Sequence, residues 1–149
     1  MRAVVQRVTE AAVTVEDREV GSIGTGVVAL VGIHSEDTAK DVEYIADKLV
    51  NLRIFRDEAG VMNRSLIDVG GSALIVSQFT LYGDARRGRR PSYIEAASGE
   101  TAQRLYEAVC RRVEELGVPV QTGVFGAMMC VHLVNDGPVT ILLDSRRIF

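Results

Sequence analysis

The sequence has few of the side chains that most often carry enzyme chemistry or bind metal ions. It contains two histidines, two cysteines and no tryptophan among 149 residues. Cys110 and Cys130 form no Cys-x-x-Cys pair, and no group of His, Cys, Asp and Glu residues has the spacing of a metal site. We therefore expect no metal ion and no other cofactor. Both cysteines lie among apolar residues, which predicts buried free thiols.

The sequence motifs of several large enzyme classes are also missing. It has no Gly-x-x-x-x-Gly-Lys phosphate loop and no Gly-x-Ser-x-Gly nucleophile elbow. Gly24-x-Gly26-x-x-Ala29 matches the dinucleotide-binding fingerprint only superficially, because a strand rather than a helix follows it. A Ser-His-Asp triad stays open, since its members need not be adjacent in sequence. Its base would be His34 or His132.

Long apolar runs are absent as well. No stretch approaches the roughly 20 apolar residues that span a bilayer, and the segment Met1–Arg7 lacks the apolar core of a signal peptide. The composition, 47% hydrophobic and 25% charged, is typical of one globular domain, and we take residues 1–149 as that domain. We expect a cytoplasmic protein with no membrane partner.

The fold is predicted to be α+β, with a mainly antiparallel, barrel-like sheet and two main helices. The short, closely spaced apolar segments of the first third are typical of an antiparallel meander. The first helix begins after Thr38, with Asp41 completing a capping box, and the second begins after Ser98 and ends before Gly117. The predicted strands are Ala3–Val8, Ala11–Glu16, Glu19–Ile23, Val27–Ile33, Leu66–Val69, Leu74–Val76, Met128–Val134 and Val139–Leu143.

Polar residues close the apolar stretch Ala73–Tyr82. Its first half reads as a buried strand, and Ser77, Gln78 and Thr80 follow where that strand should end. Backbone N–H groups freed at a strand end can stabilise negative charge on a carbonyl oxygen, which predicts an oxyanion site. From the spacing alone, a strand end satisfied by a local turn explains these residues better.

A basic loop follows this stretch directly. It contains Arg86, Arg87, Arg89 and Arg90, interrupted by Gly88 and ended by a proline. The net charge of −3 excludes a protein that coats nucleic acid, so any contact with nucleic acid must come from such a local cluster. Four arginines can hold an RNA backbone without reading its sequence, although a solvated loop is an equal alternative. We expect no DNA partner.

Several stretches of the sequence resemble the D-aminoacyl-tRNA deacylases, and the resemblance covers nearly the whole chain. The Asn135–Pro138 segment, which on its own reads as a hairpin turn with a trans proline, belongs to one of them. The stretches that carry the resemblance are Met1–Thr9, Arg53–Phe55, Ser77–Leu81, Arg87–Tyr93, Gln121–Gly123 and Leu133–Thr140.

The resemblance implies an enzyme that hydrolyses the ester between a D-amino acid and the 3′ acceptor end of tRNA, and that also acts on mischarged glycyl-tRNA. It further implies a homodimer with an active site shared between subunits. In this family the bond between the residues matching Gly137 and Pro138 is cis, and the pair enters the other subunit's pocket and excludes L-amino acids. Arg7 and Asn135 would support that pair.

The resemblance also implies how the reaction proceeds. Ser77, Gln78, Phe79 and Thr80 would form the catalytic strand end, with the backbone as the oxyanion site and Phe79 also packed in the core. The terminal 2′-hydroxyl of the tRNA would help to position or activate water. The tRNA would lie against Arg86, Arg87, Arg89 and Arg90.

Two other functions stay open from the residues alone. One is a non-enzymatic RNA-binding barrel that uses the arginine loop, although the lack of tryptophan leaves few platforms for base stacking. The other is a small-molecule esterase that uses Ser77 or Thr80 with a distant histidine.

Overall fold

The computed structural model describes all residues from Met1 to Phe149. It contains eight strands, two α-helices and one 3₁₀ turn. None of the helices is both long and apolar enough to cross a membrane. In chain order the elements are β1 (Arg2–Val15), β2 (Arg18–Ile23), β3 (Gly26–Gly32), α1 (Ala39–Asn51), β4 (Phe55–Arg56), β5 (Met62–Arg64), β6 (Ser72–Ser77), the 3₁₀ turn (Phe79–Tyr82), α2 (Gly99–Glu115), β7 (Val120–Thr122) and β8 (Cys130–Asp144).

One six-stranded sheet dominates the structure, and β1 is its central strand. The order is β2-β1-β3-β6-β7, and β8 pairs with β1 along its other edge. The three pairs of β1 are antiparallel, whereas β3–β6 and β6–β7 are parallel. The two ends of the path approach each other, because a Cβ on Gly21 of β2 would lie 2.6 Å from the carbonyl oxygen of Thr122 in β7. The predicted α+β fold with a barrel-like sheet is confirmed.

The first strand is longer than the sequence indicates. We predicted two strands interrupted near Thr9 and Glu10, but β1 runs unbroken through both residues. They form a β-bulge, since Val8 pairs with Asn135 and Glu10 with Val134, which leaves Thr9 without a partner on β8. The other edge of β1 changes partner at the same place, from β3 before the bulge to β2 after it.

The C-terminal region contradicts the predicted pair of strands joined by a hairpin. Both halves of β8 pair with the same strand, β1. Gln6 pairs with Thr140 and Val8 with Asn135, so the four residues 136–139 lie opposite Arg7 alone and leave the ladder. Asp-Gly-Pro therefore forms an outward excursion from one long strand rather than a turn between two. We call residues 136–139 the Gly-Pro excursion.

The two helices pack their apolar faces against the sheet, as their spacing predicts. Thr38 and Asp41 form the expected capping box, and Gly117 follows α2 with a φ of +96°. Ser98 occupies the N-cap position of α2 but makes no side-chain cap hydrogen bond. The main core joins both helices to β1, β3 and β6, and its fully buried members include Val5, Val27, Val31, Ile45, Leu49, Ile75, Val109 and Val113.

Three local predictions are wrong. Leu66–Val69 forms a turn instead of a strand, since Leu66 alone of its apolar residues is fully buried and its carbonyl accepts from Gly71. Cys130 is exposed at the start of β8, while Cys110 is buried as expected. Phe79 is not in the core, because 55% of it is exposed. In each case the tertiary arrangement of the chain, which local sequence does not show, decided the outcome.

Substitution of Gly26 by alanine should destabilise the fold strongly. A Cβ at Gly26 would overlap the backbone carbonyl of Ser72, where β3 and β6 begin to pair. Backbone cannot move aside without breaking the parallel ladder, so we expect a loss of about 3 kcal/mol or more in the free energy of unfolding, measured by urea denaturation. Gly24→Ala is the matched control, since nothing lies within 4 Å of its Cβ. Equal stability of both variants would contradict this packing.

Candidate active site

A cavity of about 690 Å³ lies beside the end of β6, and all four predicted catalytic residues line it. Ser77 and Gln78 are half-buried there, while Phe79 and Thr80 are exposed. The walls also include segments that are distant in sequence, before α2 and before β8. These further residues are Ile33, Val76, Tyr93, Ala96, Ala97, Ser98, Gly99, Ala102, Phe125, Gly126, Ala127, Met128, Met129 and Val131.

The backbone leaves β6 in a way that frees two donors beside this cavity. The N–H of Gln78 donates to the carbonyl of Val31 at 2.8 Å, which continues the ladder for one residue. The first bond of the 3₁₀ turn then runs from the N–H of Leu81 to the carbonyl of Gln78 at 3.3 Å. The N–H groups of Phe79 and Thr80 precede that bond, so they have no partner within the turn. They can therefore donate to a ligand.

The side chains at the strand end lack a basic partner. The Oγ1 of Thr80 accepts a short hydrogen bond from the side-chain amide of Gln78, which is not a proton acceptor for a nucleophile. Neither histidine lines the cavity. His34 accepts from the N–H of Glu36 at 3.0 Å through its Nδ1, and His132 is exposed on β8. Activation of Thr80 by a neighbouring base is therefore not available within the chain.

Phe79 and Tyr93 form one wall of the cavity. Their ring centroids are 5.1 Å apart at an interplanar angle of 73°, an edge-to-face pair. This pair ties the turn after β6 to the segment that follows the arginine loop. Sequence reasoning missed Tyr93 as a cavity residue, although it lies inside one of the stretches that carry the family resemblance. Met128, which is 92% exposed at the cavity edge, carries no signal in the sequence.

The Gly-Pro excursion rests on the buried Arg7, as predicted from the resemblance. The Nε of Arg7 donates to the carbonyl of Asp136 at 3.1 Å, and the same guanidinium donates to the carbonyl of Ile54. The carboxylate of Asp136 also lies 3.1 Å from this Nε. The Gly137–Pro138 bond is cis, as the resemblance implies and against the general expectation for such bonds.

Asn135 closes the excursion at its base. Its Oδ1 accepts from the N–H of Val139 at 2.9 Å, and its Nδ2 donates to Thr140 Oγ1 at 3.2 Å. Gly137 has a φ of +132°, and a Cβ there would lie 3.1 Å from the guanidinium of Arg7. The excursion thus requires glycine at this position. Gly137 and Pro138 do not line the cavity of their own chain.

The predicted RNA-binding arginines all lie exposed in one loop, but they are not equivalent. Arg86 forms an ion pair with Asp84, with its Nε 2.8 Å from Oδ1 and an NH2 2.7 Å from Oδ2. Arg87, Arg89 and Arg90 make no hydrogen bond or ion pair within the chain. Hydrogen bonds from Arg86 lower the pKa of Asp84 to about 2. The carboxylate is therefore ionised at neutral pH, and the pair is lost only as the pH falls towards that value.

No group of three or more His, Cys, Asp or Glu side chains is arranged to hold a metal ion.

Comparison with known proteins identifies the family. A model of the D-Tyr-tRNA(Tyr) deacylase family matches residues 4–144. The chain belongs to this family. A D-aminoacyl-tRNA deacylase of Fervidobacterium nodosum is 58% identical over the full length of both chains. Another from Thermomicrobium roseum is 60% identical and covers 99% of this chain and 96% of the relative. The resemblance seen in the sequence is thus confirmed.

Two solved structures have a similar fold. The structure of a c-Myc DNA Unwinding Element Binding Protein has a TM-score of 0.92 at 42% identity and covers 97% of this chain and 98% of its own. A probable eukaryotic D-amino acid tRNA deacylase has a TM-score of 0.80 at 20% identity, covering 95% of this chain and 97% of its own. The second likeness shows the fold alone.

Removal of the Arg7 guanidinium should loosen the Gly-Pro excursion. Arg7→Met fills a similar volume but leaves the carbonyls of Asp136 and Ile54 without their donor. We expect the amide of Val139 to exchange with solvent about tenfold faster, as measured by native-state hydrogen exchange. Arg2→Met, also on β1 but paired with Asp144, is the control and should leave this amide unchanged. Unchanged exchange in Arg7→Met would contradict the supporting role.

Proposed function

We propose that this chain hydrolyses the ester bond of D-aminoacyl-tRNA and releases the free D-amino acid and tRNA, with residues 1–149 acting as one catalytic domain. The observation that carries the proposal is the cavity beside β6, where two unpaired backbone N–H groups meet apolar walls and no side-chain base, in a chain of the deacylase family. Hydrolysis of an acyl ester needs oxyanion donors and a positioned water molecule. The backbone N–H groups beside this cavity can serve as the donors, and no side-chain base is present to activate a protein nucleophile.

The proposed reaction uses the backbone and the substrate itself. Water attacks the ester carbonyl, and the developing oxyanion accepts hydrogen bonds from the N–H groups of Phe79 and Thr80. The terminal 2′-hydroxyl of the tRNA positions or activates this water. The bond from the carbonyl carbon to the tRNA oxygen then breaks, and that oxygen takes the proton that the attacking water has lost. One preorganised oxyanion donor typically increases the reaction rate by a factor of about 10²–10³. The side chains of Ser77 and Gln78 shape the strand end.

Chiral selection is proposed to come from a second subunit. The Gly-Pro excursion projects from its own sheet and does not line its own cavity, which supports a homodimer in which it enters the cavity of the partner. Main-chain atoms at Gly137 and Pro138 meet the substituents on the substrate Cα, so an L side chain is refused while D side chains of many sizes are accepted. Glycine has no side chain to refuse, so glycyl-tRNA is also a substrate.

The remaining partner of the site is the tRNA. The acceptor end enters the cavity, and the arginine loop contacts the RNA backbone from the adjacent surface. A tRNA-editing enzyme of this kind acts in the cytoplasm, where aminoacyl-tRNA is made and used.

The two alternative functions have less support. A serine or threonine esterase needs a base, and both histidines lie outside the cavity. A non-enzymatic RNA-binding barrel would account for the arginine loop but not for the unpaired donors in the adjacent cavity. Absence of ester cleavage with retained RNA binding would favour the RNA-binding barrel.

The decisive experiment compares D-tyrosyl-tRNA with L-tyrosyl-tRNA in the presence of EDTA. We expect rapid loss of the D ester alone. Thr80→Ala should retain the rate within about threefold, because the backbone N–H that carries the oxyanion contact remains. A loss of 100-fold or more in Thr80→Ala would assign the hydroxyl a catalytic role, and no cleavage of either ester by the wild type would overturn the proposed function.

Gly137→Ala tests the chiral selection. A Cβ there would lie 2.8 Å from Val139 Cγ2 and 3.1 Å from the Arg7 guanidinium, at a φ that disfavours alanine. We expect the D rate to fall at least tenfold and the D-to-L ratio to shrink. Gly60→Ala is the matched control, because it also replaces a glycine of positive φ but has no atom within 4 Å and lies outside the cavity. Unchanged selectivity in Gly137→Ala would separate the excursion from substrate discrimination.

A further inference from the structure

A second, smaller cavity lies within the arginine loop. It has a volume of about 450 Å³ and contains no apolar side chain. Three arginines surround it, together with one carboxylate and one hydroxyl. Its lining residues are Asp84, Arg86, Arg87, Arg90 and Ser92. Arg89 belongs to the same loop but does not line this cavity.

The loop is closed at its base by backbone bonds. The N–H of Asp84 donates to the carbonyl of Ser92 at 2.8 Å, and the N–H of Ser92 donates back at 2.9 Å. Gly88, with a φ of +81°, allows the chain to reverse at the tip. The arginines therefore project from a short closed loop of defined shape rather than from an open segment.

The carboxylate of Asp84 fixes one arginine and leaves two free. It accepts from the backbone N–H of Arg86 at 3.0 Å as well as from its guanidinium, so Arg86 is held against the loop base. Arg87 and Arg90 face the same cavity without any anionic partner in the chain. Two unpaired guanidinium groups repel each other when close, and an anion placed between them removes that repulsion. Guanidinium forks match phosphate oxygens in geometry.

Two consecutive residues, Ser92 and Tyr93, contribute to the loop cavity and to the candidate active site respectively. Ser92 lines the loop cavity, and its neighbour Tyr93 lines the catalytic cavity, where it packs against Phe79. Consecutive Cα atoms are about 3.8 Å apart, so one short segment of the chain contributes to the walls of both cavities. A terminal nucleoside in the catalytic cavity therefore places the phosphates that precede it near the loop.

We propose that Arg87 and Arg90 form a phosphate site for the unpaired 3′ end of the tRNA, and that Asp84 is a positioning residue that shapes this site by holding Arg86. The inference rests on the proposed function and specifies which part of the substrate the loop contacts. The backbone of single-stranded RNA is recognised, without reading its sequence.

The first test measures KM and kcat of D-tyrosyl-tRNA for Arg87→Gln and Arg90→Gln. Each should raise KM about five- to tenfold with kcat unchanged, and each should lower the salt dependence of binding by roughly one phosphate contact. Arg89→Gln removes the same charge from the same loop outside the cavity and should have the smaller effect. Equal losses in all three variants would indicate diffuse electrostatic attraction and would overturn the phosphate site.

A substrate without phosphates separates this inference from the proposed function. D-tyrosyl-adenosine carries the same ester but no phosphate, so the effects of Arg87→Gln and Arg90→Gln should disappear with it. Losses that persist with this ester would place the defect in the catalytic cavity and overturn the phosphate site. If the wild type cleaves neither ester, the proposed function fails as well.

The role of Asp84 has a test in which two explanations predict opposite signs. Asp84→Asn removes a negative charge beside the arginines, so simple attraction predicts a lower KM for tRNA. Our proposal predicts a KM about threefold or more higher, because Arg86 is released and the cavity loses its shape. Asp84→Glu, which can still pair with Arg86, should recover part of the loss. Tighter binding by Asp84→Asn would overturn the positioning role.

Discussion

The pairing of β1 on both edges is the constraint on which the rest of the structure depends. One edge carries β8 along almost its whole length, and the other carries β3 and then β2. The backbone groups of a strand that is paired on both edges must form hydrogen bonds with both neighbouring strands. Residues that do not fit the register of this pairing must therefore leave the sheet. In the pairing of β1 with β8 this happens at two places, the bulge at Thr9 and the excursion opposite Arg7. The buried guanidinium of Arg7 donates a hydrogen bond to the carbonyl of Asp136 in the excursion, which has left the ladder.

The same sheet determines the position of the candidate active site. β6 runs parallel to β3 in its centre, and the pairing stops at Ser77 beside Val31. The chain then turns tightly, which leaves the backbone N–H groups of Phe79 and Thr80 without acceptors in the turn. These groups lie directly after the packed end of β6. Chemistry that relies on such donors needs no unusual side chain. A sequence with two histidines and no metal-binding pattern is compatible with an enzyme of this kind.

Local signals in the sequence predicted the helices, the capping box of α1 and the strand that ends at Ser77, because capping boxes, helical spacing and apolar runs are short-range features. They failed where distant segments decide the outcome. Thr9 and Glu10 read as a break because a bulge in a strand and a gap between strands have the same polar pattern. Phe79 was expected in the core, yet it pairs with Tyr93 at the surface. The cavity walls contributed by Ala102 and Phe125 could not be found from spacing, and only the family resemblance pointed to the cis bond before Pro138.

The closure of the arginine loop has a consequence for how this protein can vary. The hydrogen bonds that shape the loop lie between Asp84 and Ser92, within nine consecutive residues. A tip that is independent of the sheet can gain, lose or exchange basic residues without altering β6 or the cavity beside it. If the loop contacts the tRNA as proposed, affinity for the tRNA and the chemistry of the ester can change separately during evolution. The basic residues of the loop can therefore be exchanged while the cavity beside β6 keeps its shape.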